Sequence, residues 1–185
     1  MRTRTFGWVP LLLCLLATPL LQGAQTPTSA DGQHDFDFEI GTWKTHVSLL
    51  KKPLSGSKDW IDLDGTSVVR SLSSGRANLV ELDIAGESLR IEGVSLRLYN
   101  PESRQWSLNY ASMRAGTLTA PMIGGFKNGR GEFFGVDTLD GRSIFVRFVI
   151  ACPNADTCRF EQAFSDDGGK TWEANWIATD TRIKN

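Results

Sequence analysis

Arg147 stands in the otherwise apolar stretch Ser143–Ala151, in one row with Phe145 and Val149. A guanidinium in such a row needs a partner, either a protein carboxylate or the head group of a ligand. In the first reading Arg147 pairs with Asp137 or Glu161 on neighbouring strands, as a cross-strand ion pair. In the second it is an interior anchor for the anionic head group of a ligand. Arg97 shares a face with Ser95 and Tyr99, while Val94, Leu96 and Leu98 point the other way. Other chemistry is scarce. The two histidines are His34 and His46, and there is no G-x-S-x-G, H-E-x-x-H or P-loop motif. A Ser–His–Asp site assembles in space rather than by spacing, and no residue here points to one. His34 lies among Asp35, Asp37 and Glu39, all chemically able to bind a metal. Successive strand positions face opposite ways, so the group reads as a solvated surface and no metal is expected. Gly129-Arg130-Gly131 with Gly135 leads from strand to strand, not into the helix N-terminus that would hold phosphate. No catalytic residue is assigned. An enzyme would have to work with Tyr110, Arg147 or Asp137.

Cys152 and Cys158 flank the turn-rich segment Pro153-Asn154-Ala155-Asp156-Thr157. Their separation is too long for a C-x-x-C metal or redox motif, and as a pair in an exported chain they read as a disulfide. Export is expected from the N-terminus. Arg2 and Arg4 precede an uncharged apolar run from Trp8 to Leu21, and Gly23 and Ala24 follow it. The run is shorter than the roughly 20 residues that span a bilayer, so residues 1–24 read as a secretory signal peptide. Cys14 leaves with it. A flexible segment over residues 25–33 and one domain over 34–183 would remain, periplasmic or secreted, with no membrane association. The full chain has 185 residues, 20 Lys+Arg against 21 Asp+Glu, and 41% apolar residues. That balance is globular and argues against a nucleic-acid partner. Nothing in it fixes an oligomeric state.

The elements that must position these residues are strands. Runs of strand-forming residues recur at short intervals between turn signals: Trp43–Leu50, Trp60–Leu72, Asn78–Ile84, Val94–Tyr99, Gln105–Tyr110, Leu118–Phe126, Glu132–Leu139, Ser143–Ala151, Arg159–Phe164 and Thr171–Thr179. Gly65 interrupts the second and is expected to mark a bulge. Asn128-Gly129 and Asp140-Gly141 are strong hairpin turns. No window carries a 3.6-residue apolar period. The expected fold is all-β, one antiparallel barrel of about ten strands. Trp172, Ala174, Trp176 and Ala178 are expected to share one face of the last strand.

In His34-Asp35-Phe36-Asp37-Phe38-Glu39-Ile40-Gly41-Thr42-Trp43 the aromatics alternate with the acids, which are expected to face water. An aromatic approach followed by G-x-W resembles the first strand of calycin barrels, the lipocalins and fatty-acid-binding proteins among them. The resemblance implies that Gly41 turns the chain, that Trp43 plugs the closed end, and that Arg182 packs across that tryptophan. It also implies an interior Arg with a Tyr as ligand anchor, here Arg147 with Tyr110 and Arg97. Nitrobindin-like calycins hold haem through a His of a late strand. This chain has no His after His46, so no haem or other cofactor is expected. Ser165-Asp166-Asp167-Gly168-Gly169-Lys170-Thr171-Trp172 resembles the Asp-box turn of sialidases. Its residues read as structure: Asp167 accepts turn N–H groups, Gly168 and Gly169 take positive φ, and Trp172 packs beneath the loop. The segments His34–Trp43, Gly124–Gly141 and Glu161–Trp176 together resemble the bacterial family called domain of unknown function 1579, which implies a calycin-like barrel and carries over no catalytic residue.

The expected function is therefore binding of a small apolar or amphipathic ligand in the barrel. An enzyme acting on a lipophilic substrate in the same cavity, or a barrel filled by its own side chains, are the alternatives.

Overall fold

The structure, a computed structural model, describes residues 31–184. The expected signal peptide over residues 1–24 lies outside them, as do residues 25–30 and Asn185.

A short 3-10 turn, Asp37–Glu39, precedes the strands. These are β1 Gly41–Leu50, β2 Trp60–Leu72, β3 Ala77–Ala85, β4 Arg90–Asn100, β5 Gln105–Ser112, β6 Thr117–Leu118, β7 Met122–Lys127, β8 Arg130–Leu139, β9 Arg142–Asn154, β10 Thr157–Ser165 and β11 Glu173–Arg182. Strands pair antiparallel with their neighbours in the chain, β4 with β5 included, except that β6 and β7 both pair with β5 and not with each other, and β11 returns to β1 with Trp43 opposite Arg182. The result is a closed barrel of ten strands. Only β6 adds to that count, and it is the upper part of the strand expected over Leu118–Phe126. Pro121, without an N–H to donate, falls in the gap between β6 and β7. Among the described residues no helix is long and apolar enough to cross a membrane.

Two register features depart from the expected pattern. Gly65 forms no bulge. It sits in unbroken register with Ile84, and a Cβ there would lie 2.0 Å from the Asp83 carbonyl oxygen, so the glycine permits close backbone approach. The bulge occurs instead between β10 and β11, where the register shifts after Gln162 and Asn175 becomes the extra residue. Face parity flips there. Trp176 and Ala178 point inward, while Trp172 packs outside against Phe134 and beneath Arg147.

One end of the barrel is filled. Phe36 enters edge-on to Trp106 at 5.0 Å and to Phe126 at 4.8 Å, with Phe133 stacked at 5.8 Å. Trp43, Trp106, Phe36 and Phe133 are almost wholly buried. Cys152 and Cys158 form a disulfide across the β9–β10 hairpin at this same end. Outside the barrel, Ile123, Phe134 and Phe145 remain exposed. The second apolar face of β9 thus reflects an outer surface rather than burial on both sides.

Candidate functional site

Above the aromatic plug the barrel keeps a cavity of about 570 Å³, within the range of small-molecule sites. Its wall is apolar in the middle, with Val47, Val80, Leu108, Met122, Phe160 and Ala178. Its mouth lies at the end opposite the plug, among Leu89, Arg90, Glu92, Arg114, Val136 and Asp137.

The floor is polar and built by register. Thr45 and Asp180 are partners across β1 and β11, and the Thr45 hydroxyl donates to Asp180 Oδ1 in a short hydrogen bond. Ser67, on β2, places its Oγ 3.1 Å from Thr45 Oγ1. Among the described residues Thr45 supplies the one hydrogen bond to that carboxylate. Asp180 is only 4% exposed. Burial, opposed by the Thr45 hydrogen bond, pushes its pKa from 3.8 up to about 6; the Glu39 carboxylate adds to the rise and Arg97 opposes it.

Beside this acid lies a buried ion pair. Arg97 Nη1 makes a short contact with Glu39 Oε2, and Nη2 donates to Oε1 at 3.2 Å. Both side chains are 4% exposed. The guanidinium also lies over Phe36, 4.4 Å from the ring centroid. Among the described residues Arg97 Nε and Asn78 Oδ1 find no hydrogen-bond partner, and their residues are register partners on β4 and β3.

Glu39 corrects the expected alternation of acids in water. The 3-10 turn replaces the extended period there, so Glu39 turns inward toward Arg97. Asp37 stays outside, accepting from His34 Nδ1 at 2.8 Å with both side chains about half exposed.

Of the expected ligand anchors, Tyr110 and Arg97 line the cavity and Arg147 does not. Arg147 sits on the outer face, where Nη2 donates to Glu161 Oε1 at 3.3 Å and the guanidinium lies 5.0 Å from the centroid of Trp172. This is the cross-strand pairing, reached because Val146 and Phe148 on either side of it take the inner positions. Tyr110 fits because Gly93, its diagonal neighbour across the β4–β5 pair, has no side chain: a Cβ there would meet the phenol oxygen at 2.3 Å. Burial raises the Tyr110 pKa. Asp137 sits at the exposed mouth.

The closed end is tied by Arg182. Its guanidinium lies 4.0 Å from the centroid of Trp43, and it donates to Ile40 O, Phe38 O and Ala155 O at 2.8, 2.6 and 2.9 Å. Gly41 has φ +135°, and a Cβ there would lie 2.7 Å from Arg182 Nη1, so glycine serves both the turn and the approach. At the open end Asp167 accepts from the N–H groups of Thr171 and Lys170 and from the hydroxyls of Thr171 and Ser165. These bonds, the Thr171 backbone N–H foremost, hold its pKa well below the usual carboxylate range. Gly168 and Gly169 have φ +77° and +83°, and Trp172 Nε1 donates to Gly169 O at 3.1 Å.

Asp180, Thr45 and Ser67 were not singled out by the sequence, and Glu39 was named only among the acids expected to face water. Two of them carried a signal. Asp180 continues the inward row of Trp176 and Ala178, and Thr45 lies between Trp43 and Val47 on the plug's own face. A polar residue in an inward row is the pattern to look for.

No protein-family model matches the chain. No curated protein matches it in sequence. Solved structures do resemble it in fold. An S-type phycobiliprotein lyase, CPES, from Guillardia theta is 13% identical with a TM-score of 0.54, covering 81% of this chain and 91% of its own. A redesigned β-barrel is 11% identical with a TM-score of 0.45, covering 82% and 96%. A protein of unknown function from the DUF3598 family of Nostoc punctiforme PCC 73102 is 8% identical with a TM-score of 0.25, covering 82% and 99%. At 13% identity the likeness to the lyase concerns the fold alone.

Proposed function

We propose that the barrel binds a small apolar or amphipathic molecule in its interior. The observation that carries this reading is the cavity of about 570 Å³, apolar along its walls and polar at its floor. A barrel filled by its own tryptophans would have no such space; Trp43 and Trp106 close one end and leave the middle open. The neutral fluorophore phenylnaphthylamine tests the reading, since its emission rises in apolar surroundings. Saturable enhancement is expected, and Val146→Phe, which fills part of the cavity, should weaken it. No saturable enhancement up to the solubility limit overturns the reading.

A second reading has one observation in its favour. Asp180 and Tyr110, both raised in pKa, line the same cavity, and such groups gather at catalytic sites. Burial is the first cause of both shifts, and a cavity wall supplies that by itself. Binding is therefore the reading we adopt, and chemical turnover of a captured compound would replace it with the enzyme.

Export through residues 1–24 belongs to the same proposal, and the Cys152–Cys158 disulfide supports it because such bonds persist in oxidising compartments. So does membership of the family called domain of unknown function 1579, supported by the segments His34–Trp43, Gly124–Gly141 and Glu161–Trp176. The intact mass of the protein recovered from its exporting host reads the first directly: a chain retaining residues 1–24 would overturn it.

A further inference from the structure

The charges at the floor of the cavity do not suit an anionic head group. Three ionisable side chains line its deep end: Glu39, Arg97 and Asp180. Arg97 is already held by Glu39 through both terminal nitrogens. Its remaining Nε makes no hydrogen bond to a described residue, and neither does Oδ1 of its register partner Asn78. Among the described residues no cation forms an ion pair with Asp180, and the nearby Arg97 is engaged by Glu39. It accepts one hydroxyl hydrogen bond, from Thr45, and a carboxylate has room for several more. Ser67 stands behind Thr45 and extends the polar patch. The other charged lining residues, Arg90, Glu92, Arg114 and Asp137, are exposed at the mouth, where Arg90 is engaged by Asp83 at 2.8 Å and Glu92 at 3.2 Å.

We propose that the ligand is an aliphatic amine, its ammonium seated on the Asp180 carboxylate beside Thr45 and its chain lying along Val47, Leu108, Met122 and Phe160. The proposal rests on the reading that the cavity binds a small molecule, and it deepens that reading by naming the class. A carboxylate ligand would bring a third negative charge to a deep end holding one cation, and a desolvated pair of like charges is costly. An ammonium supplies up to three donors to an acceptor that lacks them. A neutral alcohol can give one donor and should rank between the two.

Three further consequences separate this from simple hydrophobic capture. Amine affinity should fall as the medium is acidified through pH 6, because Asp180 then takes up a proton; the charged groups facing it are Glu39 and Arg97, which pair with each other. Asp180→Asn should remove the preference for amine while sparing the alcohol. Asp137→Asn, at the mouth, should leave the preference unchanged.

The experiment is displacement of phenylnaphthylamine from the full chain at pH 7.5 by decylamine, decanol and decanoate, each kept below its micellar concentration. Decylamine is expected to displace it about tenfold or more effectively than decanoate, the size of one charge-assisted hydrogen bond. Failure of the fluorophore to bind at all removes the cavity reading and this inference with it. Fluorophore binding with decanoate equal to or better than decylamine overturns the inference alone. An amine preference that survives in Asp180→Asn also overturns it, placing the ammonium at the mouth. The comparison of the three competitors on the unaltered protein decides even where the variant folds poorly.

Discussion

The guanidinium of Arg182 lies 4.0 Å from the ring centroid of Trp43, and the two residues are register partners across the seam where the last strand meets the first. The planar fork reaches the ring and, in the same posture, the carbonyls of Phe38 and Ile40 on the segment that brings Phe36 into the plug. One side chain thus joins the seam, the plug and, through Ala155, the disulfide hairpin.

Trp43→Ala should lower stability by about 3–5 kcal/mol, as truncation of a large buried aromatic does. Arg182→Ala should cost about 1 kcal/mol from the lost stacking alone, and more from three carbonyls left to water. Arg182→Lys should recover little, since a point charge cannot make the fork. Urea unfolding followed by tryptophan fluorescence reads all three. A loss below about 1 kcal/mol for Trp43→Ala would remove the plug role.

Arg97 and Glu39 should show strong non-additivity. Removing one partner strands a buried charge, so Glu39→Gln and Arg97→Met should each cost about 3–5 kcal/mol. The double variant Glu39→Gln with Arg97→Met should cost far less than the sum. Equal costs by addition, measured in a double-mutant cycle, would mean that the pair is not desolvated.

Asp180 should make the protein more stable in mild acid. Its folded pKa, about 6, exceeds the ordinary 3.8, so between these values the native state holds a proton that the unfolded state has lost. Stability therefore falls as pH rises from about 4 to 6, by about 3 kcal/mol in all, and stays low above. Asp180→Asn should match the parent near pH 4 and exceed it near pH 8. Denaturation midpoints across that window check the sign. Asp167 acts oppositely: its lowered pKa gives stability that is lost as pH falls below the carboxylate range.

The disulfide closes a short loop, with a sequence separation of 6, so its removal in the double variant Cys152→Ala with Cys158→Ala should cost no more than about 2 kcal/mol. The β9–β10 ladder and the Arg182 bonds to Ala155 and Asp156 already hold that hairpin. A loss of folding altogether would show that the hairpin depends on the bond.

The strands were legible because each ends in a turn whose chemistry is local: Asn128-Gly129 and Asp140-Gly141 both take positive φ where the sequence requires it. Trp43, Arg182 and the Asp167 loop were legible for a related reason, a recognisable residue in a fixed local frame. The cavity floor was not. Glu39 and Arg97 are 58 positions apart and meet only because a 3-10 turn breaks the alternation before β1. Arg147 shows the limit of parity. Alternation divides β9 into two rows, but when both are apolar it does not say which is inside. Phe145 proved to be the exposed one, and Arg147 went outward with it. Trp172 was misplaced by a bulge at Asn175 that no glycine announces.

Every ladder but one joins strands that are consecutive along the barrel's chain path. Hairpins of that kind form from nearby residues, so most of the sheet can assemble with low contact order. The seam between β1 and β11 is different, because it must bring together the two ends of the domain. Folding speed should therefore be governed by that single closure, and substitutions at Thr45, Trp43 or Arg182 should slow it more than equally destabilising ones within a hairpin. A chain cut short before β11 would not make a smaller barrel. It would leave β1 and β10 as open edges, each with a row of unpaired N–H and C=O groups ready to pair with another molecule.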